Sequence, residues 1–208
     1  MQKCKQRIVV LGGSFNPPTI AHYRLMKEAV DALGADLGFF VPVSDDYLKR
    51  KMRHYQPSMV LSPELRVKML QTMCSEDNRF RVYDKEIGTK GARTLQTMAT
   101  LHEEYPNAEL YFIFGADKLN LLAHLSEKWG FLDNYNAILY SRKNEELEKT
   151  LNEDDILANY LNRIVILPQP EGIEDVSSSL VRERIVSGES CQDLLSPEVW
   201  DMLKTAIF

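Results

Sequence analysis

An apolar, β-branched run, Ile8-Val9-Val10-Leu11, breaks into paired glycines at Gly12-Gly13, and two prolines, Pro17-Pro18, then restart the backbone ahead of a helical stretch. That order predicts a strand, a tight turn and a helix N-terminus, which narrows the chain to folds that feed a buried strand straight into a helix. Backbone N–H groups and the positive end of the helix dipole favour an anion at such a place. Thr19 and His22 lie three residues apart at the start of the helix, so a hydroxyl and an imidazole share one helical face. The turn is therefore a candidate phosphate site with a proton-bearing side chain in it.

The rest of the chain repeats the alternation. Short apolar runs at Leu37–Val43, Leu110–Phe114, Ala137–Tyr140 and Ile164–Leu167 suit parallel strands buried on both faces, and Arg79–Tyr83 is a weaker candidate. Helical stretches are expected over Thr19–Leu33, Pro63–Cys74, Ala92–Glu104 and Ala116–Leu125. Ser62-Pro63-Glu64 and Ser196-Pro197-Glu198 each place a capping serine before an N1 proline. Lys143–Asp155 reads as a solvated helix or loop, and Asp45 and Asp46 as a solvated loop. The sum is a single doubly wound α/β domain over residues 1–208, with a right-handed parallel sheet that binds ligands beyond the carboxyl ends of its strands.

Composition sets the outer limits. A chain of 208 residues, 44% hydrophobic, can bury one sizeable core. Its net charge of −5 argues against a general nucleic-acid binder, so an anionic ligand must be held by local cations. Cys4, Cys74 and Cys191 are odd in number and lack metal-ligand spacing, as expected of reduced cytosolic thiols. The polar segment Met1–Arg7 predicts no secretory signal, and no apolar run approaches the roughly 20 residues of a membrane span. These features predict a cytoplasmic protein.

Gly12-Gly13-Ser14-Phe15 fits neither the dinucleotide fingerprint nor a Walker A loop, which disfavours a dehydrogenase and a P-loop kinase. A second constellation is more informative. Val176-Ser177-Ser178-Ser179-Leu180-Val181-Arg182 places three hydroxyls at a helix start and an arginine one turn in. An arginine offers phosphate oxygens a planar fork. His54, His102 and His124 have no partner spacing and read as structural or exposed.

Together these motifs resemble the nucleotidyltransferase superfamily with a H/T-x-x-H signature, and within it the nicotinate/nicotinamide mononucleotide adenylyltransferases. Gly12–His22 is similar to that family's G-[ST]-F-[DN]-P-x-[HT]-x-x-H, and Val176–Arg182 to its I-S-S-T-x-I-R. Phe114-Gly115-Ala116-Asp117 resembles its G-x-D, Asp46–Lys51 its D-x-Y-K-K-K loop, and Thr94-Leu95-Gln96-Thr97 its T-x-x-T. The resemblance implies a Rossmann-like nucleotidyltransferase fold and transfer of AMP from ATP, with Mg²⁺, to nicotinate or nicotinamide mononucleotide. It implies catalytic roles for His22, Thr19 and Arg182. ATP would be met by Gly13, Ser14, Phe15, His22, Gly115, Asp117, Ser178, Ser179 and Arg182, and the mononucleotide by Lys49, Thr94, Thr97, Trp129 and Arg142. Small molecules are the implied partners, with no nucleic acid and no membrane, and both monomer and homo-oligomer stay open. Mg²⁺ would ride on phosphate oxygens, so no protein metal site is expected. Two alternatives stand beside this reading: a pantetheine-phosphate adenylyltransferase-like enzyme and a non-catalytic nucleotide sensor.

Overall fold

The computed structural model describes residues 5–90, 93–141 and 144–207. Six parallel strands form one sheet: β1 (Gln6–Gly13), β2 (Leu37–Pro42), β3 (Phe80–Val82), β4 (Ala108–Gly115), β5 (Asn136–Ser141) and β6 (Ile164–Pro168). Their order is β3-β2-β1-β4-β5-β6, so the chain reverses direction across the sheet between β1 and β4. A crevice opens at that switch point, beyond the carboxyl ends of both strands. All six expected strands form, the weak candidate at Arg79–Tyr83 being the shortest.

The helices are α1 (Ile20–Leu33), α2 (Asp45–Lys51), α3 (Pro63–Cys74), α4 (Thr94–Glu104), α5 (Leu119–Trp129), α6 (Phe131–Asn134), α7 (Asn144–Glu153), α8 (Ser178–Ser187) and α9 (Pro197–Ile207). Alternate residues of β1 point to opposite layers. Ile8 and Val10 pack with Met98 of α4, Leu122 of α5 and Leu147 of α7, whereas Val9 and Leu11 pack with Met26 and Val30 of α1 and Leu70 of α3. Burial on both faces explains why these strands carry continuous apolar runs rather than alternation.

A third apolar cluster carries the site's distant half. Val181 and Ile185 of α8 and Val199 and Leu203 of α9 close on Leu61 and on Met69 of α3. This packing brings the N-terminus of α8 back to the β1 turn across about 160 residues of sequence. It also seats α9 on its own domain.

Three expectations need correction. Asp45 and Asp46 begin α2 rather than lying in a solvated loop. Ser44 caps that helix by accepting from the Tyr47 N–H at 3.3 Å, and Asp45 takes a buried partner described below. The helix expected over Ala116–Leu125 begins with a 3-10 turn at Ala116–Lys118 and runs on as α5 to Trp129. The segment expected to start at Ala92 is helical from Thr94, Ala92 lying outside the described residues.

Candidate active site

The turn after β1 is built by close packing. A Cβ on Gly13 would meet the Phe15 ring at 2.9 Å, so only glycine leaves that ring its place. Phe15 itself takes φ +44°, an uncommon backbone for a residue with a side chain. Its ring is fully buried and stands edge-on to the His22 imidazole, centroids 5.0 Å apart. A ligand could therefore reach Phe15 only through its backbone. Asn16 is buried too. Its side chain donates to the Met59 carbonyl and accepts from the Leu61 N–H, both at 2.8 Å, which ties the turn to the segment ahead of α3.

Thr19 caps α1, and its backbone N–H donates to His22 Nδ1 at 3.0 Å. The Thr19 hydroxyl lies 2.7 Å from the same nitrogen. A backbone N–H can only donate, so Nδ1 is the acceptor and Nε2 carries the proton. Burial, helped by the charge on Lys51, lowers the His22 pKa from 6.5 to about 4. The imidazole is thus neutral at physiological pH and offers one N–H.

The second half of the site arrives on α8. Ser177 caps that helix by accepting from the Leu180 N–H at 3.1 Å. Ser178 donates its hydroxyl to the Pro17 carbonyl at 2.7 Å, and Arg182 donates through Nη1 to the Asn16 carbonyl at 2.7 Å. Arg182 also donates through Nη2 to Ser179 Oγ at 3.0 Å, and it lies 4.8 Å from the centre of the Tyr55 ring. The guanidinium is 7% exposed, and its buried Nε has no hydrogen-bond partner among the described residues. Two helix N-termini thus meet across one turn, the first N–H of α1 donating to the Leu194 carbonyl at 3.0 Å.

Between them lies a cavity of about 270 Å³ lined by Gly13, Ser14, Phe15 and His22, with Lys51, Met52, Ser178, Ser179 and Arg182. Lys51 ends the Asp46–Lys51 motif, in which the sequence pointed to Lys49 as the site residue. The Lys51 Nζ donates to Ser14 Oγ at 3.1 Å. Burial lowers its pKa, and the nearby charges of Arg182 and Lys118 lower it further. Two cations, Lys51 and Arg182, line the cavity, with Lys118 close enough to act on Lys51, in a protein of net charge −5, which answers the need for local positive groups.

With this geometry in place, comparison with known proteins is decisive. The sequence model of the cytidylyltransferase-like family matches residues 10–184. Relatives named "Probable nicotinate-nucleotide adenylyltransferase" include one from Dehalococcoides mccartyi, 30% identical with 94% of this chain and 93% of the relative covered. Another, from Listeria innocua, is 30% identical over 96% and 95%. The chain belongs to the cytidylyltransferase-like family, among the nicotinate-nucleotide adenylyltransferases. The solved Plasmodium falciparum nicotinic acid mononucleotide adenylyltransferase, complexed with NaAD, superposes with a TM-score of 0.71. It covers 96% of this chain and 95% of that one at 18% identity, a likeness of fold.

The other expected residues of this family member fall in several places. Gly115 and Asp117 sit at the carboxyl end of β4, beside β1 in the sheet. A Cβ on Gly115 would meet Asp117 Oδ1 at 2.5 Å, so the carboxylate folds back over the glycine, and Asp117 pairs with Lys118. Thr94 is the first residue of α4. Thr97, one turn on, is buried and donates its hydroxyl to Glu86 Oε1 at 2.5 Å. Lys49 is exposed on α2 and does not line the cavity, a place taken by Lys51. Trp129 ends α5, about 15 Å of helix rise beyond its first residue. It is 59% exposed, with Lys128 over its ring, and is not brought to the cavity. Arg142 lies outside the described residues.

No helix among the described residues is long and apolar enough to cross a membrane, and no cluster of three acidic, histidine or cysteine side chains could hold a metal ion. Cys74 and Cys191 are free and buried.

Proposed function

We propose that this chain transfers AMP from ATP to nicotinate mononucleotide, forming the dinucleotide and releasing pyrophosphate in NAD biosynthesis. One observation carries the reading: His22, Lys51 and Arg182 converge with two helix N-termini on a single cavity. Family membership supplies the class of reaction, and the names of the relatives supply the acceptor.

The chemistry joins two polyanions, so catalysis is mainly positioning and charge neutralisation. An oxygen of the mononucleotide 5′-phosphate forms the new bond to the α-phosphorus of ATP. The bond from that phosphorus to the bridging oxygen breaks, and its electron pair leaves with pyrophosphate. A phosphate monoester is already ionised near neutral pH, so no general base is required. His22 Nε2–H donates to the α-phosphate as its charge grows, with Thr19 holding the other ring nitrogen. The start of α8, with Ser178, Ser179 and Arg182, takes the β- and γ-phosphates. Lys51 bridges from Ser14 towards the same charge.

ATP enters as its Mg²⁺ complex. The hydroxyls and cations of the cavity would hold the phosphates, and Mg²⁺ carried in on ATP would supply further neutralisation of their charge. Gly115 and Asp117 take the ATP ribose, while Thr94 and the start of α4 face the acceptor. Thr97 acts behind them, holding Glu86. The protein works in the cytoplasm, where Cys74 and Cys191 stay reduced.

The test is incubation with ATP, Mg²⁺ and either nicotinate or nicotinamide mononucleotide, following pyrophosphate and dinucleotide. Dinucleotide formed faster from the nicotinate acceptor is expected. ATP binding with no pyrophosphate release would replace the enzyme by a sensor.

A further inference from the structure

Arg66 of α3 is 0% exposed, the largest fully buried side chain among the described residues, and its guanidinium donates to three acceptors that all lie outside its own helix. Nη1 donates to the carbonyls of Ser14 and Val43, each at 3.1 Å, and Nη2 donates to Asp45 Oδ1 at 2.7 Å. These acceptors lie in the glycine turn, just past the end of β2, and at the first residue of α2. The last residue of α2 is Lys51, which donates back to Ser14 Oγ at 3.1 Å. The contacts close a ring running from Ser14 through Arg66, Asp45 and α2 to Lys51 and back to Ser14.

A guanidinium is costly to bury, and apolar residues of similar volume often replace buried ion pairs with no loss of stability. The stability of the core does not explain this one. Its Nε is buried and without a partner among the described residues, so even its hydrogen bonding is incomplete. What the arrangement supplies is geometry. Lys51 is crowded by Arg182 and Lys118, whose charges act against its own, and a seven-residue helix is too short to hold its end still unaided. A tether at the helix start opposes that repulsion.

We propose that the Arg66–Asp45 pair is a positioning device that sets where Lys51 meets the phosphate turn, and thereby sets affinity for the polyphosphate of the nucleotide. Neither residue lines the cavity, so both act through Lys51. The proposal rests on the nucleotidyl-transfer reading given above.

A double-mutant cycle tests it. Asp45→Ala leaves the Ser44 cap of α2 intact and is expected to raise the KM for MgATP about tenfold, within the range of coupled neighbours, with kcat little changed. Lys51→Met is expected to raise that KM at least as much, and the double variant no further than Lys51→Met alone. Arg66→Met combined with Asp45→Ala, which removes both charges of the pair rather than stranding one, should repeat the Asp45→Ala effect on KM. Additive effects of Asp45→Ala and Lys51→Met, or an unchanged KM in Asp45→Ala, would overturn the proposal, because a merely structural residue has no reason to act through Lys51. Tripolyphosphate binding by calorimetry reads the same cycle without the acceptor. If the wild type binds tripolyphosphate and shows the coupling yet makes no dinucleotide, the proposed reaction fails and the positioning role stands. If it binds no tripolyphosphate, both fall.

Discussion

The backbone N–H of Thr19 donates to Nδ1 of His22 at 3.0 Å, which leaves Nε2 as the protonated nitrogen available to a ligand. Because Nδ1 is occupied by a donor and the ring is packed against Phe15, a second proton has no favourable place on the imidazole.

His22 should therefore titrate far below an ordinary histidine. With the folded pKa lowered to about 4 from 6.5, the unfolded chain takes up the proton first as pH falls. The stability this contributes is complete above pH 6.5 and is lost as pH drops towards 4. NMR titration of the imidazole carbons in the ligand-free protein should give a midpoint near 4. A midpoint near 6.5 would mean that the ring is neither buried nor held through Nδ1.

Glu86 gives the opposite sign. Burial raises its pKa above 4.5, although the Thr97 hydroxyl and the charge on Arg93 pull it down. A raised carboxyl stabilises the fold at and below pH 4.5 and loses that contribution as pH rises through its folded value. Glu86→Gln keeps an acceptor for Thr97 and removes the charge, so it should raise Tm at pH 7. The gain should be of a few degrees, since 1 kcal/mol moves the midpoint of a chain this size by roughly 2–4 °C, and should shrink as pH falls to 4.5. Melting curves at both pH values check this. An unchanged or lower Tm at pH 7 would show that the carboxylate is well satisfied as an anion.

Arg182 is held by its fork, with Nη1 on Asn16 and Nη2 on Ser179. A lysine is a single point donor and cannot keep both contacts. Arg182→Lys should raise the KM for ATP by about tenfold, equivalent to about 1.4 kcal/mol, with a smaller effect on the KM for the mononucleotide. Equal effects on both substrates would move Arg182 away from the polyphosphate.

The legible parts of this molecule are those specified by neighbours in sequence. Ser62 before Pro63 marks the first turn of α3, and that helix runs from Pro63 to Cys74 as expected, because a cap and an N1 proline act within one turn. Continuous apolar runs report strands buried on both faces, as in Leu110–Phe114. The turn at Gly13 and the serines before Arg182 were readable as anion sites because a helix N-terminus carries its own field. Arg66 is not readable, since it looks like an ordinary surface charge in a polar stretch, and Lys51 is legible only as the end of the Asp46–Lys51 motif. Their meaning lies in contacts to Ser14 across 52 and 37 residues, and α2 between them is short and charged. Trp129 matches a motif position, and the structure leaves it exposed at the end of α5, outside the lining of the phosphate cavity.

The central claim is that His22 is the donor to the reacting phosphate, and turnover of His22→Ala tests it most directly. In a pyrophosphate-release assay with ATP, Mg²⁺ and nicotinate mononucleotide, kcat should fall by roughly 10²–10⁴-fold, the scale of a positioned donor. ATP binding should stay within a few-fold of wild type, because Arg182, Lys51 and both helix N-termini remain. A near wild-type rate would contradict the account.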